Sequence, residues 1–147
     1  MVITSEYETE STAIELDRAQ CLDLLRTTSV GRVVLSIQCI PVALAVSITM
    51  LDDELLIATD RRSRLKSDVD SQVVSIQADE FDPTTRTAWS VLVTGTAEVE
   101  TDPDESAAAG SRLCWLPGPD PLLVRVFPIL TSGRRFEWSG KLLGAGG

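Results

Sequence analysis

The stretch PVALAVSIT, residues 41–49, has the most regular alternation of side chains in this 147-residue chain. Its even-numbered residues are bulky and apolar: Val42, Leu44, Val46 and Ile48. Its other face is small: Ala43, Ala45, Ser47 and Thr49. A period of two predicts a β-strand with its bulky face in a core. The small face allows either close packing against a neighbouring element or a flat ligand lying on the sheet.

The sequence around this strand predicts a mainly β (α+β) domain. Further strands are expected at 30–37, 54–59, 72–79, 89–100, 122–129 and 133–138, with helices at 16–28, 62–70 and 102–113. Asp17 and Asp102 are expected to cap the first and last helices, and Gly95 predicts a bulge or a close backbone approach. The strands and helices do not alternate regularly, which argues against a Rossmann sheet and favours a barrel with a few short helices.

Length and composition predict one domain, residues 14–138, between a mobile N-terminal tail (1–13) and a flexible C-terminal tail (139–147).

The absence of histidine excludes a Ser-His-Asp triad, and the three widely spaced cysteines predict a reducing, cytoplasmic location and no metal site. A net charge of -9 argues against nucleic-acid binding. No apolar run approaches the ~20 residues of a membrane span, and the N-terminus has no secretory signal.

Basic residues concentrate in ATDRRSRLKS, residues 58–67, directly after a predicted strand and before a predicted helix. A strand followed by a donor-rich turn and a helix N-terminus favours anions. Thr59 and Ser63 offer hydroxyls, Arg64 a bidentate fork and Lys66 a point charge. The alternative is a solvated helix face whose charges are balanced by nearby aspartates.

The order of these segments resembles the pyridoxamine 5'-phosphate oxidase-like superfamily of flavin-binding split barrels, over roughly residues 15–136. The similar segments are LDRAQCLDLLRTTSVGRVVLS, IPVALAVSIT, IATDRRSRLKS, TRTAWSVLVTGTAEV and VRVFPILTSGRRF. The resemblance implies a six-stranded split β-barrel and a homodimer that binds FMN at its interface.

The resemblance also implies which residues bind the cofactor. Thr59, Ser63 and Arg64 match the phosphate-binding positions, with Lys66 as a neighbour that can assist. Ser47 lies on the strand beside the isoalloxazine ring, and Trp89 with Ser90 match a pair near the bound ring system. The chain departs from the family pattern at Ala58, where arginine is common, and at Asp60 and Arg62, where glycine is frequent. Arg61 or Arg62 can replace the lost charge.

Three functions follow from this resemblance. The first is an FMN-dependent oxidoreductase in which the flavin supplies the chemistry, with an unknown substrate and no side chain assigned as acid or base. The second is a reductase that uses an 8-hydroxy-5-deazaflavin coenzyme, whose longer anionic tail would suit the extra arginines. The third is a non-catalytic binding protein that has lost its cofactor, which the departures at Ala58 and Asp60 favour.

Overall fold

The computed structural model of the chain describes residues 11–61 and 69–139. In this part the strands are β1 (Ser11–Leu16), β2 (Val30–Ile37), β3 (Ile40–Leu51), β4 (Glu54–Asp60), β5 (Val73–Asp82), β6 (Thr87–Val99) and β7 (Pro121–Trp138). The helices are α1 (Arg18–Leu25) and α2 (Pro103–Gly110). The protein is therefore mainly β, as the alternating patterns predict.

One antiparallel sheet closes on itself to form the barrel. Its strand order is β1-β7-β4-β3-β2-β5-β6, and β6 also pairs with β7. The first part of β7 pairs with β4 and its last part pairs with β1, while β6 runs along most of its length. Six strands thus form the closed ring and β1 adds an extra strand, which confirms the predicted split barrel.

The structure differs from the predicted elements in three places. Residues 122–129 and 133–138 belong to one continuous 18-residue strand, β7. The polar connection expected at 80–88 shrinks to a turn because β5 and β6 extend to Asp82 and Thr87. β1 was not predicted, and it is ordered by pairing with the distant end of β7. Most of the helix predicted at 62–70 lies outside the described residues.

The core fills the inside of the barrel, where the bulky faces of the strands meet. Val46 and Ile48 are buried there as the alternation predicts, and Val42 and Leu44 pack against the cluster. Cys21 and Leu25 of α1 belong to the same cluster. A second, smaller cluster lies outside the barrel, where α2 and the following segment cover β4: Leu56, Ala58, Ala109, Leu113 and Leu123. All residues of β4 from Leu55 to Thr59 are consequently buried.

Both predicted helix caps are present. Asp17 accepts a hydrogen bond from the Gln20 backbone at 2.8 Å, and the Gln20 side chain accepts one from the Asp17 backbone at 2.9 Å. Asp102 accepts from the backbone of Asp104 at 2.9 Å and precedes Pro103 at the helix start. These bonds satisfy amides that would otherwise lack partners, so the helix starts are determined locally.

Candidate functional site

The predicted cofactor residues fall into two groups at opposite ends of β7. Ser47, Thr59 and Arg61 lie near the end of β4, which we call the elbow (residues 58–61). Trp89 and Ser90 lie near the start of β6. Ser63, Arg64 and Lys66 lie outside the described residues, so the structure provides no placement for them.

Ser47 is fully buried, on the outer side of the barrel. Its neighbours across the sheet are Val30 and Ala58. Its exposed fraction is 0%, and its Oγ has no hydrogen-bond partner in the described part of the chain. A buried hydroxyl without a partner carries a desolvation cost and marks a position that needs explanation. Ser47 is thus placed on the predicted face but is closed off by the protein's own chain.

The segment after α2 contributes the cover over this region. Trp115 donates from Nε1 to the carbonyl oxygen of Ser29 at 3.0 Å. The same carbonyl accepts from the Ile48 backbone at 3.1 Å, so the indole lies beside the start of β2 and next to Ser47 in β3. Ala43 and Ala45, on the same side of β3, remain exposed. The open part of the small-residue face is therefore the pair of alanines.

Thr59 and Arg61 occupy different environments at the elbow. Thr59 is 4% exposed and pairs with Leu122, a core residue, so its side chain is directed to the barrel interior. Ser47 and Thr59 consequently lie on opposite sides of the sheet. The Arg61 guanidinium binds Asp120 through Nε at 3.1 Å and the Pro121 carbonyl through Nη2 at 3.2 Å. Arg61 is thereby held against the start of β7.

A groove of about 680 Å³ adjoins the elbow, between α2 and the start of β7. Arg61, Glu100 and Asp120 provide its charged groups. Its apolar lining comes mainly from Val99, Pro103, Ala107, Leu116, Pro121 and Leu123. Glu100 is occupied, because its carboxylate binds Arg125 Nε at 3.0 Å and the Asp102 backbone at 3.1 Å. The groove combines an apolar wall with the Arg61–Asp120 ion pair at one edge.

Trp89 and Ser90 point to opposite sides of β6. Trp89 packs against the barrel core, whereas Ser90 faces outward in register with Asp79 and Arg134. The Ser90 Oγ accepts a hydrogen bond from Gln77 Nε2 at 3.3 Å. One flat ligand on one side of the sheet can therefore contact Ser90 or Trp89 directly, but not both.

The outer sides of five strands form a continuous surface, which we call the five-strand face. Register places two rows across β3, β2, β5, β6 and β7: Ala45, Arg32, Gln77, Leu92 and Ser132, then Ala43, Val34, Ser75, Thr94 and Leu130. The face mixes apolar and polar side chains, with Leu92 40% exposed and Leu130 68% exposed beside Arg32 and Gln77.

Among residues 11–61 and 69–139, shifted pKa values are found at Cys21 and Asp82, neither of which is a predicted cofactor residue. Burial raises the pKa of the Cys21 thiol, with a smaller contribution from Asp17. Backbone hydrogen bonds from Thr85 and Thr84 lower the pKa of Asp82. Residues 11–61 and 69–139 contain no cluster of three side chains suited to a metal. Neither helix of this part is long and apolar enough to span a membrane.

Sequence reasoning missed Arg134, which stands next to Ser90 on the outer side of the sheet. The sequence predicts GRRFEW as a strand, and its alternation places Arg134 and Arg135 on opposite sides. It could not have shown which arginine shares a side with Ser90, because that depends on the pairing of β6 with β7.

Comparisons with known proteins agree with the fold. The family model described as pyridoxamine 5'-phosphate oxidase matches residues 17–129. The uncharacterized protein Rv0080 of Mycobacterium tuberculosis is 33% identical over 129 residues, which are 83% of this chain and 84% of that protein.

Two solved structures of FAD-binding proteins are also similar. The one from Mycobacterium smegmatis has a TM-score of 0.70 and 28% identity, and the match covers 83% of this chain and 97% of that chain. The one from Mesorhizobium loti has a TM-score of 0.69, and the match covers 87% of this chain and 99% of that chain. At 20% identity the second likeness concerns the fold alone.

Proposed function

Because the chain belongs to the pyridoxamine 5'-phosphate oxidase family, we propose that it is a flavin-binding oxidoreductase that acts as a homodimer. The flavin phosphate would lie at the elbow of one protomer. The isoalloxazine ring would lie over Ala43 and Ala45, facing the Ser90 region of the partner. When bound, the flavin supplies the electron transfer, while this chain binds and orients it.

The observation that supports a flavin here is the pair of exposed alanines beside Ser47, next to the elbow. The registers of β3 with β2, β2 with β5 and β5 with β6 place Ser47 and Ser90 three strands apart on the outer side of the barrel. At about 4.8 Å between neighbouring strands this is roughly 15 Å along the sheet, a span that one flavin mononucleotide can cover. The homodimer in this proposal therefore rests on the resemblance to the family and not on this distance.

At the elbow Arg61 fits an anionic cofactor, whereas the side chain of Thr59 is buried in the barrel interior and does not meet a ligand on the outer side. Arg61 is oriented by Asp120 and Pro121 but is 39% exposed, so part of its guanidinium can still meet a phosphate. Ala43 and Ala45 leave space above β3 for a flat ring. Ser47 fits less well, since contact with the ring would require the segment around Trp115 to move.

The groove beside Arg61 favours a second candidate, a cofactor that extends beyond the phosphate of FMN. FAD and the 8-hydroxy-5-deazaflavin coenzyme both have such an extension. The groove has apolar walls that can contact an extended tail, and the Arg61 guanidinium lies at its edge beside Asp120. The FAD-binding relative from Mycobacterium smegmatis supports the same possibility.

Reconstitution tests the proposal. The purified chain is incubated separately with FMN, FAD and the deazaflavin coenzyme, then passed through a desalting column. We expect one retained cofactor per protomer and a particle of twice the protomer mass by light scattering. A colourless protein after all three incubations, or a monomer that retains flavin, would contradict the proposal. Retained flavin that no reductant or substrate reduces would favour the non-catalytic alternative.

A matched pair of substitutions tests the position of the ring. Ala45→Leu fills the space above β3, and Ala13→Leu adds the same bulk to an exposed position on β1. We expect Ala45→Leu to lose flavin retention and Ala13→Leu to keep it, with both variants folded by circular dichroism. Equal retention by the two variants would place the ring elsewhere.

A further inference from the structure

An open pocket of about 610 Å³ lies on the outer side of the barrel, where β1, β6 and β7 meet. The strand registers place six of its lining residues on this side: Glu15, Ser90, Leu92, Ser132, Arg134 and Phe136. Hydroxyls, one cation, one carboxylate and two apolar side chains therefore share one concave surface. Such a combination is typical of a small-molecule site.

Arg134 occupies the centre of this pocket. Its neighbours across the sheet are Ser90 on β6 and Glu15 on β1, and Ser132 and Phe136 flank it along β7. Directly opposed side chains in an antiparallel sheet have Cβ atoms about 5 Å apart. No ion pair or hydrogen bond engages the Arg134 guanidinium within residues 11–61 and 69–139. Its N–H donors therefore have no protein acceptor in this part of the chain, and the exposed side chain can meet a ligand.

The Ser90 hydroxyl supplies a second donor beside this guanidinium. Gln77 Oε1 accepts from Arg32 at 3.3 Å, and Gln77 Nε2 donates to Asp79 at 3.0 Å, so the orientation of the amide is determined by its neighbours. Nε2 also donates to Ser90 Oγ at 3.3 Å. Ser90 thus accepts a bond while its own proton has no acceptor among the described residues. Two adjacent donors without acceptors indicate an anionic ligand.

The rest of the pocket determines the kind of anion. Glu15 stands on the far side of Arg134 and forms no ion pair within the described part of the chain, so it opposes anions in proportion to their charge and disfavours multiply charged ligands most. Leu92 and Phe136 provide apolar contact next to the cation. We propose that this pocket binds an organic monocarboxylate with an apolar body through Arg134 and Ser90. Its role as a substrate site rests on the proposed flavin function, but binding of the carboxylate does not.

Titration of the flavin-free chain tests the proposal with phenylacetate, phenylacetamide, succinate and inorganic phosphate as probes. We expect saturable calorimetric binding of phenylacetate. Phenylacetamide should bind at least about tenfold more weakly than phenylacetate, because it lacks the charge-assisted hydrogen bond with Arg134. Succinate and phosphate should also bind more weakly than phenylacetate. Glu15→Gln should reduce the difference in binding affinity between phenylacetate and succinate.

Two neighbouring arginines provide a matched control. Arg134→Gln should weaken phenylacetate binding about tenfold or more, whereas Arg135→Gln, on the opposite side of β7, should leave it unchanged. Equal losses in the two variants, equal affinity for phenylacetate and its amide, or no phenylacetate binding would overturn the proposal.

Retention of flavin is measured on the same preparations. Flavin retention without phenylacetate binding refutes only this inference. Phenylacetate binding without flavin retention refutes only the proposed function.

Discussion

Gly95 stands where β6 and β7 shift register, between Thr94 and Gly95. A Cβ added there would overlap the carbonyl oxygen of Phe127. It would also lie 2.7 Å from the Phe127 carbonyl carbon and 3.2 Å from the Cα of Pro128. These are backbone atoms of the strand that closes the barrel, so no side-chain rotation can relieve the overlap. Gly95→Ala should therefore be strongly destabilising.

The magnitude follows from the displacement that alanine requires. Carbon atoms in contact are separated by about 3.5–4.0 Å, so the 2.7 Å approach to the Phe127 carbonyl carbon alone requires β7 to retreat by at least about 1 Å. Overpacking of this kind costs about 1–3 kcal/mol, and two weakened ladder hydrogen bonds add about 1 kcal/mol each. The free energy of unfolding should fall by about 3–5 kcal/mol, with a decrease in Tm on the order of 10–15 °C.

Urea titration followed by tryptophan fluorescence measures the effect, and Gly110→Ala is the control. At Gly110 the nearest atom to an added Cβ is Leu123 Cδ1 at 3.7 Å, an ordinary contact. Because alanine favours helices, Gly110→Ala should leave stability within about 0.5 kcal/mol of the wild type or raise it. If the Gly95→Ala variant unfolds at the same urea concentration as the wild type, the result would contradict the close backbone contact between β6 and β7 at this position.

Three other predictions concern individual side chains. Iodoacetamide should modify the exposed Cys39 and Cys114 in the native protein, and Cys21 only after unfolding, because Cys21 is fully buried and its pKa is raised. Ser47→Ala should raise the free energy of unfolding by about 1 kcal/mol, measured by urea titration, because it removes an unpartnered buried hydroxyl. The pKa of Asp82 is lowered in the folded protein, so its ionised carboxylate stabilises the fold at pH values above the usual pKa of an aspartate. This stabilisation is lost as the pH falls through the pKa of the folded state. The stability difference between wild type and Asp82→Ala should therefore shrink in acid.

For each of these three predictions, one experimental result would contradict it. Rapid modification of all three cysteines in the folded protein would show that α1 does not seal Cys21. A loss of stability in Ser47→Ala would show that its hydroxyl has a partner. A difference between Asp82→Ala and the wild type that stays constant from pH 7 to about pH 2 would exclude the turn hydrogen bonds as the cause of the lowered pKa.

Much of the fold could be predicted from the sequence because the signals are local. The alternation at 41–49 separates the core face of β3 from its small face within nine residues. Asp17 and Asp102 bind amides two or three positions away, so the residues themselves specify the helix starts. The close approach at Gly95 was predicted because only glycine tolerates a backbone so near.

The candidate site was less predictable, because its geometry depends on residues that are distant in the chain. The alternation predicts the side of the strand on which Ser47 lies, but not its burial beneath segments distant in the chain, such as the one in which Trp115 bonds Ser29 across 86 residues. β1 is a strand only because the end of β7 is beside it. No local pattern contains that information.

The sequence by itself determined which side of each strand is apolar, where the helices start and where the backbone needs a glycine, because side-chain period and capping act over a few residues. Only the tertiary structure decided that Arg134 rather than Arg135 stands beside Ser90, and that Ser47 and Ser90 lie three strands apart on the outer side of the barrel. Strand register brings these groups together or keeps them apart, and register is set by pairing between segments that are distant in the chain.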